Sequence, residues 1–151
     1  MSDPLISIVT VTYHDKIGLE KTIKSVQGQS YDNIEYIVID GGSTDGTIEI
    51  IKKYEDRIDY WISEPDSGIY DAMNKGIDAA TGDFVIFMNS NDTFYTEGTV
   101  ETFARQMSED KVYFGRANIV GGKQKRLFPD GKYSENNIEQ WLKKTCHLNK
   151  S

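Results

Sequence analysis

The most informative chemistry in this sequence lies in residues 40–46, which read Asp-Gly-Gly-Ser-Thr-Asp-Gly. This stretch closes the apolar run of residues 34–39 and precedes a helical pattern. In an open α/β sheet the crevice beyond the carboxyl ends of the strands is the usual ligand site, and glycines let a ligand approach the backbone closely. Asp40 therefore stands where a carboxylate can accept a proton donor from a nucleobase or a sugar.

Three other polar loops follow strand-like runs in the same way. Residues 12–15 contain Tyr13, residues 63–68 contain Asp66, and residues 89–92 read Asn-Ser-Asn-Asp. Because each loop follows a strand of the parallel region, we expect all four to meet at one edge of the sheet. An aromatic ring for stacking, a carboxylate, glycine amides and a polar cluster able to hold a divalent cation are the parts that a nucleoside diphosphate needs.

Strand and helix patterns alternate along the chain and must position these loops. Strand-like runs cover residues 5–11, 34–40, 58–62 and 84–88, and helical patterns follow them around residues 19–26, 48–54, 69–80 and 96–106. Four such units predict an α/β fold with a mostly parallel sheet flanked by helices. Gly28 and Gly82 are expected to end the first and third helices. The third helix carries an apolar stripe made of Ile69, Ala72, Met73, Gly76, Ile77 and Ala80.

The last part of the chain departs from this alternation. Residues 112–119 and 123–128 read as two strands around a two-glycine hairpin signal, and residues 134–144 read as a final helix. The sheet is therefore expected to become mixed toward the C-terminus.

Length and composition indicate one globular domain. The 151 residues are enough to bury a core, and 17 basic against 24 acidic residues give a net charge of −7, which argues against a nucleic-acid partner. The single Cys146 excludes an intrachain disulfide, and the first residues do not resemble a signal peptide. No apolar run approaches the roughly 20 residues that cross a bilayer. We expect a cytoplasmic protein, with peripheral attachment at the inner face of the membrane left open.

The ordered motifs resemble the nucleotide-binding half of glycosyltransferase family 2, which has the Rossmann-like GT-A fold. The resemblance covers roughly residues 6–92 and rests on residues 9–13, 38–47, 64–68, 72–76, 80–83 and 89–92. Together these motifs are specific, whereas any one of them alone is weak. The resemblance implies a single GT-A-like domain over residues 1–151, with a nucleotide-binding part at 1–92 and an incomplete acceptor-side part at 93–151.

The resemblance also implies an activity and its site residues. The family transfers a sugar from a nucleotide-diphosphate donor, here with a UDP-sugar favoured, to a glycan or lipid-linked acceptor, and the nearest members make bacterial surface polysaccharides such as exopolysaccharide, colanic acid and O-antigen. Tyr13 would pack near the base, and Asp40 would accept from a uracil-like N3. The donor-binding residues so implied are Val11, Tyr13, Asp40, Gly42, Ser43, Asp66 and Ser90. Asn91 and Asp92 stand where the family keeps its aspartate-rich motif for Mg²⁺ or Mn²⁺.

Two departures from the family pattern bear on catalysis. Asn91 replaces the aspartate commonly found at its position, and a neutral amide oxygen attracts a hard cation less than a carboxylate does. Inverting transfer also needs a general base, which the family supplies from a segment that would lie beyond Ser151. A chain cut from a longer reading frame would explain that gap. No catalytic residue is assigned, since the later carboxylates sit in no family-like motif: Asp110, Asp130, Glu135 and Glu139.

Each of these signals also has a plainer interpretation. Asp45 and Asp66 can serve only as helix caps, because aspartate is a preferred capping residue. Tyr13 can cover a core edge, and residues 89–92 can form an ordinary polar turn.

Other classes of function remain as alternatives. A truncated or non-catalytic nucleotide-binding domain would explain Asn91 and the missing base. A dinucleotide-dependent oxidoreductase is disfavoured because no Gly-x-Gly-x-x-Gly follows the first strand. His14 and His147 lack partners at zinc-like spacing. An unfinished sheet edge could pair with a second copy to give a homodimer.

Overall fold

Strands and helices alternate through residues 3–106, the part of the chain that the structure, a computed structural model, describes. The strands are β1 (Ile6–Thr12), β2 (Ile34–Asp40), β3 (Tyr60–Ser63) and β4 (Phe84–Phe87). The helices are α1 (Lys16–Gln27), α2 (Thr47–Lys53), α3 (Ile69–Ala79) and α4 (Thr99–Ala104), with a 3₁₀ turn at Glu55–Arg57. The four predicted strand–helix units are confirmed. The strands and helix predicted within residues 112–144, and with them the mixed part of the sheet, lie outside the described residues.

The four strands are parallel and lie in the order β3-β2-β1-β4. β1 pairs with β2 along its whole length, from Ile6 opposite Ile34 to Thr12 opposite Asp40. The chain moves outward from β1 to β3 and then returns to place β4 on the other side of β1. Such a reversal is the switch point at which open α/β sheets bind ligands, beyond the carboxyl ends of the strands.

β1 is the buried centre of this sheet. All seven of its residues are buried, and most are β-branched, as a parallel strand covered on both faces requires. On one face Val9 and Ile37 pack with Ala72 of α3. α1 buries Leu19 and Ile23. Because right-handed crossovers carry the chain outward through α1 and back through α3, these two helices cover opposite faces of the sheet.

The apolar stripe predicted for α3 is only partly buried. Ala72 and Gly76 face the core, whereas Ile69 is 47% exposed and Ile77 is 44% exposed. The reason lies in how closely α3 approaches β1, since a Cβ added at Gly76 would lie 2.3 Å from Cγ1 of Val9. The helix therefore contacts the sheet through its smallest side chains, which leaves the two isoleucines at the margins of the contact.

Glycine ends one predicted helix and not the other. Gly28 caps α1 as expected. α3 instead ends at Ala79, before the predicted stop at Gly82. Gly82 is required for packing, because a Cβ there would lie 2.6 Å from Oγ of Ser7 in β1.

Hydrogen bonds to the Glu35 carboxylate, near the amino ends of the strands, make the stability of the fold depend on pH. Glu35 accepts hydrogen bonds from Oγ of Ser7 at 2.5 Å and from the backbone N–H of Thr81 at 2.8 Å. Burial raises the pKa of Glu35, but these hydrogen bonds outweigh it and hold the pKa below its ordinary value of 4.5. A lowered pKa means that the stabilisation is complete above the ordinary value and is lost as pH falls through the folded-state pKa.

We therefore expect Glu35→Gln to flatten the acid side of the stability profile. The free energy of unfolding in urea should fall between pH 6 and pH 3 by about 1 kcal/mol more in the native chain than in the variant. Equal acid losses in both proteins would contradict the assignment to Glu35.

Candidate functional site

Four loops meet at the carboxyl edge of the sheet, as the sequence predicted. We call them the first loop (residues 13–15), the second loop (41–46), the third loop (64–68) and the fourth loop (88–92). Backbone hydrogen bonds between neighbouring strand ends join them. The pairs are Gly41 N–H to Thr12 O at 3.0 Å, Glu64 N–H to Asp40 O at 3.0 Å, and Ser90 N–H to Val11 O at 3.0 Å.

Tyr13 is the exposed aromatic surface of this edge. Its side chain is 63% exposed, so the alternative that it covers the core is wrong. The ring stacks on His14, with centroids 4.1 Å apart and planes inclined by 25°. One face of a rigid, partly desolvated ring is a surface on which a planar base can stack.

Gly41 brings Tyr13 and Asp66 together. A Cβ at this position would lie 2.7 Å from Oδ2 of Asp66 and 3.2 Å from Cδ2 of Tyr13. The sequence interpretation gave Gly41 no role of its own, although a pair of glycines directly after a strand signals close approach. Any side chain here would separate the ring from the carboxylate.

Asp66 has two oxygens with different surroundings. Oδ1 accepts from the backbone N–H of Gly68 at 2.8 Å in the turn before α3. Gly68 is the N-cap residue of α3 and no side chain caps this helix, so Asp66 is not its cap. Oδ2 lies over Gly41 and accepts no hydrogen bond from the described residues. Asp66 therefore presents a free acceptor beside the exposed ring.

Asp40 lies at the predicted end of β2, but the surroundings of its carboxylate differ from those predicted. Its side chain is fully buried and its oxygens are filled by the protein itself. Oδ2 accepts from the backbone N–H groups of Gly42 at 3.2 Å and Ser43 at 2.9 Å, and from Oγ of Ser63 at 2.6 Å. Oδ1 accepts from Oγ of Ser43 at 2.5 Å. The expectation that Asp40 accepts from a nucleobase is corrected, because a buried carboxylate with four donors has no exposed oxygen to offer.

Three other predicted binding residues lie beneath the surface of this edge or pack against its loops. Val11 is buried at the end of β1, and Ser43 is buried within the second loop. Gly42 has φ of +85°, which favours glycine, and a Cβ there would lie 3.1 Å from the backbone nitrogen of Pro65. The side chains of Val11 and Ser43 are therefore inside the protein, and the close approach at Gly42 joins the second loop to the third.

Asp45 has the capping role that the plainer interpretation gave it. α2 begins at Thr47, and its N-cap residue, Gly46, has no side chain that could accept a hydrogen bond from the first turn. Asp45 Oδ1 instead accepts from the backbone N–H of Thr47 at 3.1 Å and from its hydroxyl at 2.5 Å. The hydroxyl bond, the largest cause, lowers the pKa of Asp45.

The fourth loop is a polar turn anchored on α1. The backbone N–H of Asp92 donates to Asn89 O at 3.0 Å, and Asn91 has a left-handed φ of 73°. Oγ of Ser90 donates to Oδ2 of Asp15, the N-cap of α1, at 2.7 Å. Thr22 of α1 donates to Asp92 O at 2.8 Å. The turn interpretation is confirmed, and the turn holds its polar side chains at the site edge.

The oxygens of the fourth loop do not fit a cation held by the protein alone. Oδ1 of Asn91 already accepts from the ammonium of Lys21 at 3.3 Å. Burial raises the pKa of Asp92, which disfavours the charged form that a cation needs. Within residues 3–106 no three His, Cys, Asp or Glu side chains group closely enough to hold a metal. Hard divalent cations take six or more oxygens, so the protein supplies a minority of them here.

Several predicted residues lie outside the described part of the chain. They are the later carboxylates Asp110, Asp130, Glu135 and Glu139, together with His147. Within the described part, His14 stacks on Tyr13 and places Nε2 3.3 Å from Oγ1 of Thr44.

Comparisons with known proteins point to one family. An uncharacterized glycosyltransferase of Mycobacterium tuberculosis is 48% identical over 126 residues, which cover 80% of this chain and 48% of that protein. The GalNAc(5)-diNAcBac-PP-undecaprenol beta-1,3-glucosyltransferase of Campylobacter jejuni is 32% identical over 122 residues, covering 78% of this chain and 38% of the relative. The chain thus spans about half or less of the length of these relatives.

Solved structures agree on the fold. The mannosyltransferase PcManGT of Pyrobaculum calidifontis, in complex with GDP-Man and Mn²⁺, superposes with a TM-score of 0.61 at 22% identity, covering 69% of this chain and 31% of that one. TarS residues 1–349 of S. aureus, in complex with UDP, gives 0.60 at 25% identity, covering 66% and 31%. The sequence signature described as Glycosyl transferase family 2 matches residues 7–148. With the parallel sheet and its four-loop edge, these matches show that the chain belongs to glycosyl transferase family 2.

Proposed function

We propose that this protein binds a nucleoside-diphosphate sugar at the four-loop edge and transfers the sugar as part of an inverting, family 2 glycosyltransferase. The observation that carries the proposal is the exposed Tyr13 ring beside the free Oδ2 of Asp66, both packed over Gly41. A stacking surface next to a carboxylate acceptor suits a base that carries a ring N–H donor.

A UDP-sugar is the favoured donor. Uracil presents a ring N–H from which a carboxylate can accept a hydrogen bond, and Asp66 Oδ2 and the Tyr13 ring both lie against Gly41. The UDP bound to TarS supports this base, whereas the GDP-Man bound to PcManGT supports guanine as the second candidate.

The diphosphate leaving group needs positive charge or hydrogen-bond donors as the sugar–phosphate bond breaks. The Mn²⁺ in the PcManGT complex supports Mg²⁺ or Mn²⁺ for this chain too, with Asp92 and Asn91 as the residues that would face it. A bound divalent cation would act as a Lewis acid there. Because the fourth loop supplies one carboxylate and one amide already bonded to Lys21, we assign no step of the transfer to the ion.

The acceptor is proposed only by class, and no general base is assigned. The name of the Campylobacter relative supports a lipid-linked saccharide, and a growing glycan is the other acceptor class. Within residues 3–106 no helix has the length and apolarity to cross a bilayer. A cytoplasmic location with peripheral contact at the inner membrane face would suit a lipid-linked acceptor. We also propose a homodimer, in which a second copy would cover the sheet edge.

Titration calorimetry tests the donor site directly. UDP, GDP and dTDP are titrated into the folded protein with and without Mn²⁺, and we expect UDP to bind most tightly. No heat of binding from any of the three, in protein that circular dichroism shows to be folded, overturns the proposal. Nucleotide binding without transfer or donor hydrolysis by this chain would instead favour the non-catalytic alternative.

Restoring the missing carboxylate should strengthen metal binding. In Asn91→Asp a second charged oxygen stands beside Asp92, and we expect Mn²⁺ affinity in the presence of UDP to rise about tenfold, because ligand charge tunes the affinity of such sites. Calorimetric titration with Mn²⁺ measures it. Asn74→Asp, an exposed position on α3, is the matched control and should leave the affinity unchanged. Equal changes in both variants would show a general charge effect.

A further inference from the structure

Two hydrogen bonds in series connect the buried carboxylate of Asp40 to the backbone amide of His14, whose ring stacks on Tyr13. The backbone N–H of His14 donates to Oγ of Ser43 at 2.7 Å. The same hydroxyl donates to Oδ1 of Asp40 at 2.5 Å. The Ser43 hydroxyl accepts the first bond and donates the second, so the series has a single direction from the first loop into the protein.

The series begins at the backbone N–H of His14, the residue whose ring carries the stacked Tyr13. His14 has φ of 48°, a left-handed conformation that few non-glycine residues adopt without support. Its ring stacks on Tyr13, and Tyr13 is otherwise largely exposed. If the His14 amide loses its acceptor, the backbone is free to leave this conformation and the stacked pair moves with it.

We propose that Asp40 and Ser43 are positioning residues, which hold the first loop so that Tyr13 is ready to stack on the base of the donor. The inference rests on the proposed function, since the ring is useful only if a nucleotide binds there. It gives a role to a carboxylate that touches no ligand. Removing the series should therefore weaken the binding of UDP and dTDP, whose pyrimidine rings have similar stacking faces, by a similar factor, whereas a base-reading residue would change the preference between these two.

Ser63 provides a matched control. Its hydroxyl also donates to Asp40, at 2.6 Å, but it reaches Oδ2 from β3 and has no bond to the first loop. Ser43→Ala breaks the connection to His14, and Ser63→Ala removes a hydroxyl donor from the same carboxylate while leaving that connection intact. If Asp40 had only a structural role, both substitutions would change the His14 exchange rate and the nucleotide affinity to the same extent.

The first measurement needs no ligand. Amide hydrogen exchange of the full chain, followed by NMR, reports whether the His14 N–H is bonded. We expect the native amide to exchange at least about 100-fold more slowly than an unstructured one, and Ser43→Ala to speed it at least about tenfold, with Ser63→Ala unchanged. An unprotected His14 amide in the native chain, or equal effects of the two variants, overturns the inference.

The second measurement uses UDP, GDP and dTDP as probes. In calorimetry, Ser43→Ala should lower the affinity for each nucleotide by about tenfold, which is the scale of one lost buried hydrogen bond. Ser63→Ala should lower it by less than about twofold. In a Tyr13→Ala background, Ser43→Ala should have no further effect, because the ring that it positions is gone. A changed preference between UDP and dTDP, or full additivity with Tyr13→Ala, overturns the positioning role.

The two measurements separate the failure of this inference from the failure of the proposed function. If the native chain binds none of the nucleotides, the proposed function fails, and the inference fails with it as a role in donor binding. If nucleotides bind and Ser43→Ala behaves like Ser63→Ala, only the inference fails.

Discussion

Replacing Tyr13 by alanine should weaken UDP binding between about fivefold and about 150-fold, which corresponds to the roughly 1–3 kcal/mol that stacking of one base on an aromatic ring contributes. The ring is 63% exposed, so its removal leaves no cavity in the core and the free energy of unfolding should change by less than about 0.5 kcal/mol. Calorimetry measures the affinity and urea unfolding measures the stability.

Tyr95 offers the matched control for this substitution. It is 86% exposed and lies outside the four loops of the site. Tyr95→Ala removes an equal ring and should leave UDP affinity within about twofold of the native value, since surface substitutions away from a site have small effects. If Tyr13→Ala binds UDP as tightly as Tyr95→Ala does, the base does not stack on Tyr13 and the proposed donor site is wrong. Tyr13→Phe keeps the stacking face and should retain most of the affinity.

The largest expected loss of stability comes from Gly76→Ala. A Cβ at this position would lie 2.3 Å from Cγ1 of Val9, and that methyl belongs to a stiff, fully buried side chain of β1. Overpacking of this kind costs about 1–3 kcal/mol or more, while alanine in a helix returns about 1 kcal/mol relative to glycine. Because 2.3 Å is far inside contact distance, we take the upper end of that cost, about 3 kcal/mol, and expect a net loss of about 2 kcal/mol in the free energy of unfolding as α3 and β1 move apart.

Gly98→Ala shows what the substitution does without a clash. Gly98 is the N-cap of α4 and a Cβ there meets nothing within 4 Å. Its loss should stay below about 1 kcal/mol, the usual cost of alanine at a cap. Denaturant unfolding measures the loss in the free energy of unfolding for both variants. A Gly76→Ala protein that is as stable as Gly98→Ala would mean that α3 does not pack this closely on β1.

Local pattern was sufficient to predict the order of the elements. The β-branched, nearly continuous apolar run of β1 and the glycine that caps α1 are local signals, and both correspond to the structure. Alternation of such runs with helices leaves few topologies for a chain of this size, since crossovers are right-handed and neighbouring strands tend to pair. The meeting of four loops at one edge follows from the same rules and is confirmed by the backbone bonds between strand ends.

The orientation of side chains within those elements was not predictable in the same way. The stripe on α3 contained Ile69 and Ile77, both of which are exposed, because small Ala72 and Gly76 make the close contact instead. Periodicity identifies an apolar face but does not measure how near two elements approach. That distance depends on the side chains of both partners, here including Val9 of β1.

The sequence by itself determined the fold class, because that follows from residue types and their spacing along the chain, and its ordered motifs indicated the family by resemblance. The edge of the sheet where a ligand would lie is a prediction from the same pattern. Tertiary structure decided which residues at that edge are free to bind. Asp40 is a carboxylate in the predicted loop, yet its four donors and complete burial turn it inward. Asp66 and Tyr13, brought together over Gly41, are left to face the solvent. A carboxylate binds whichever donors surround it in space, and those donors come from parts of the chain that a local motif does not contain.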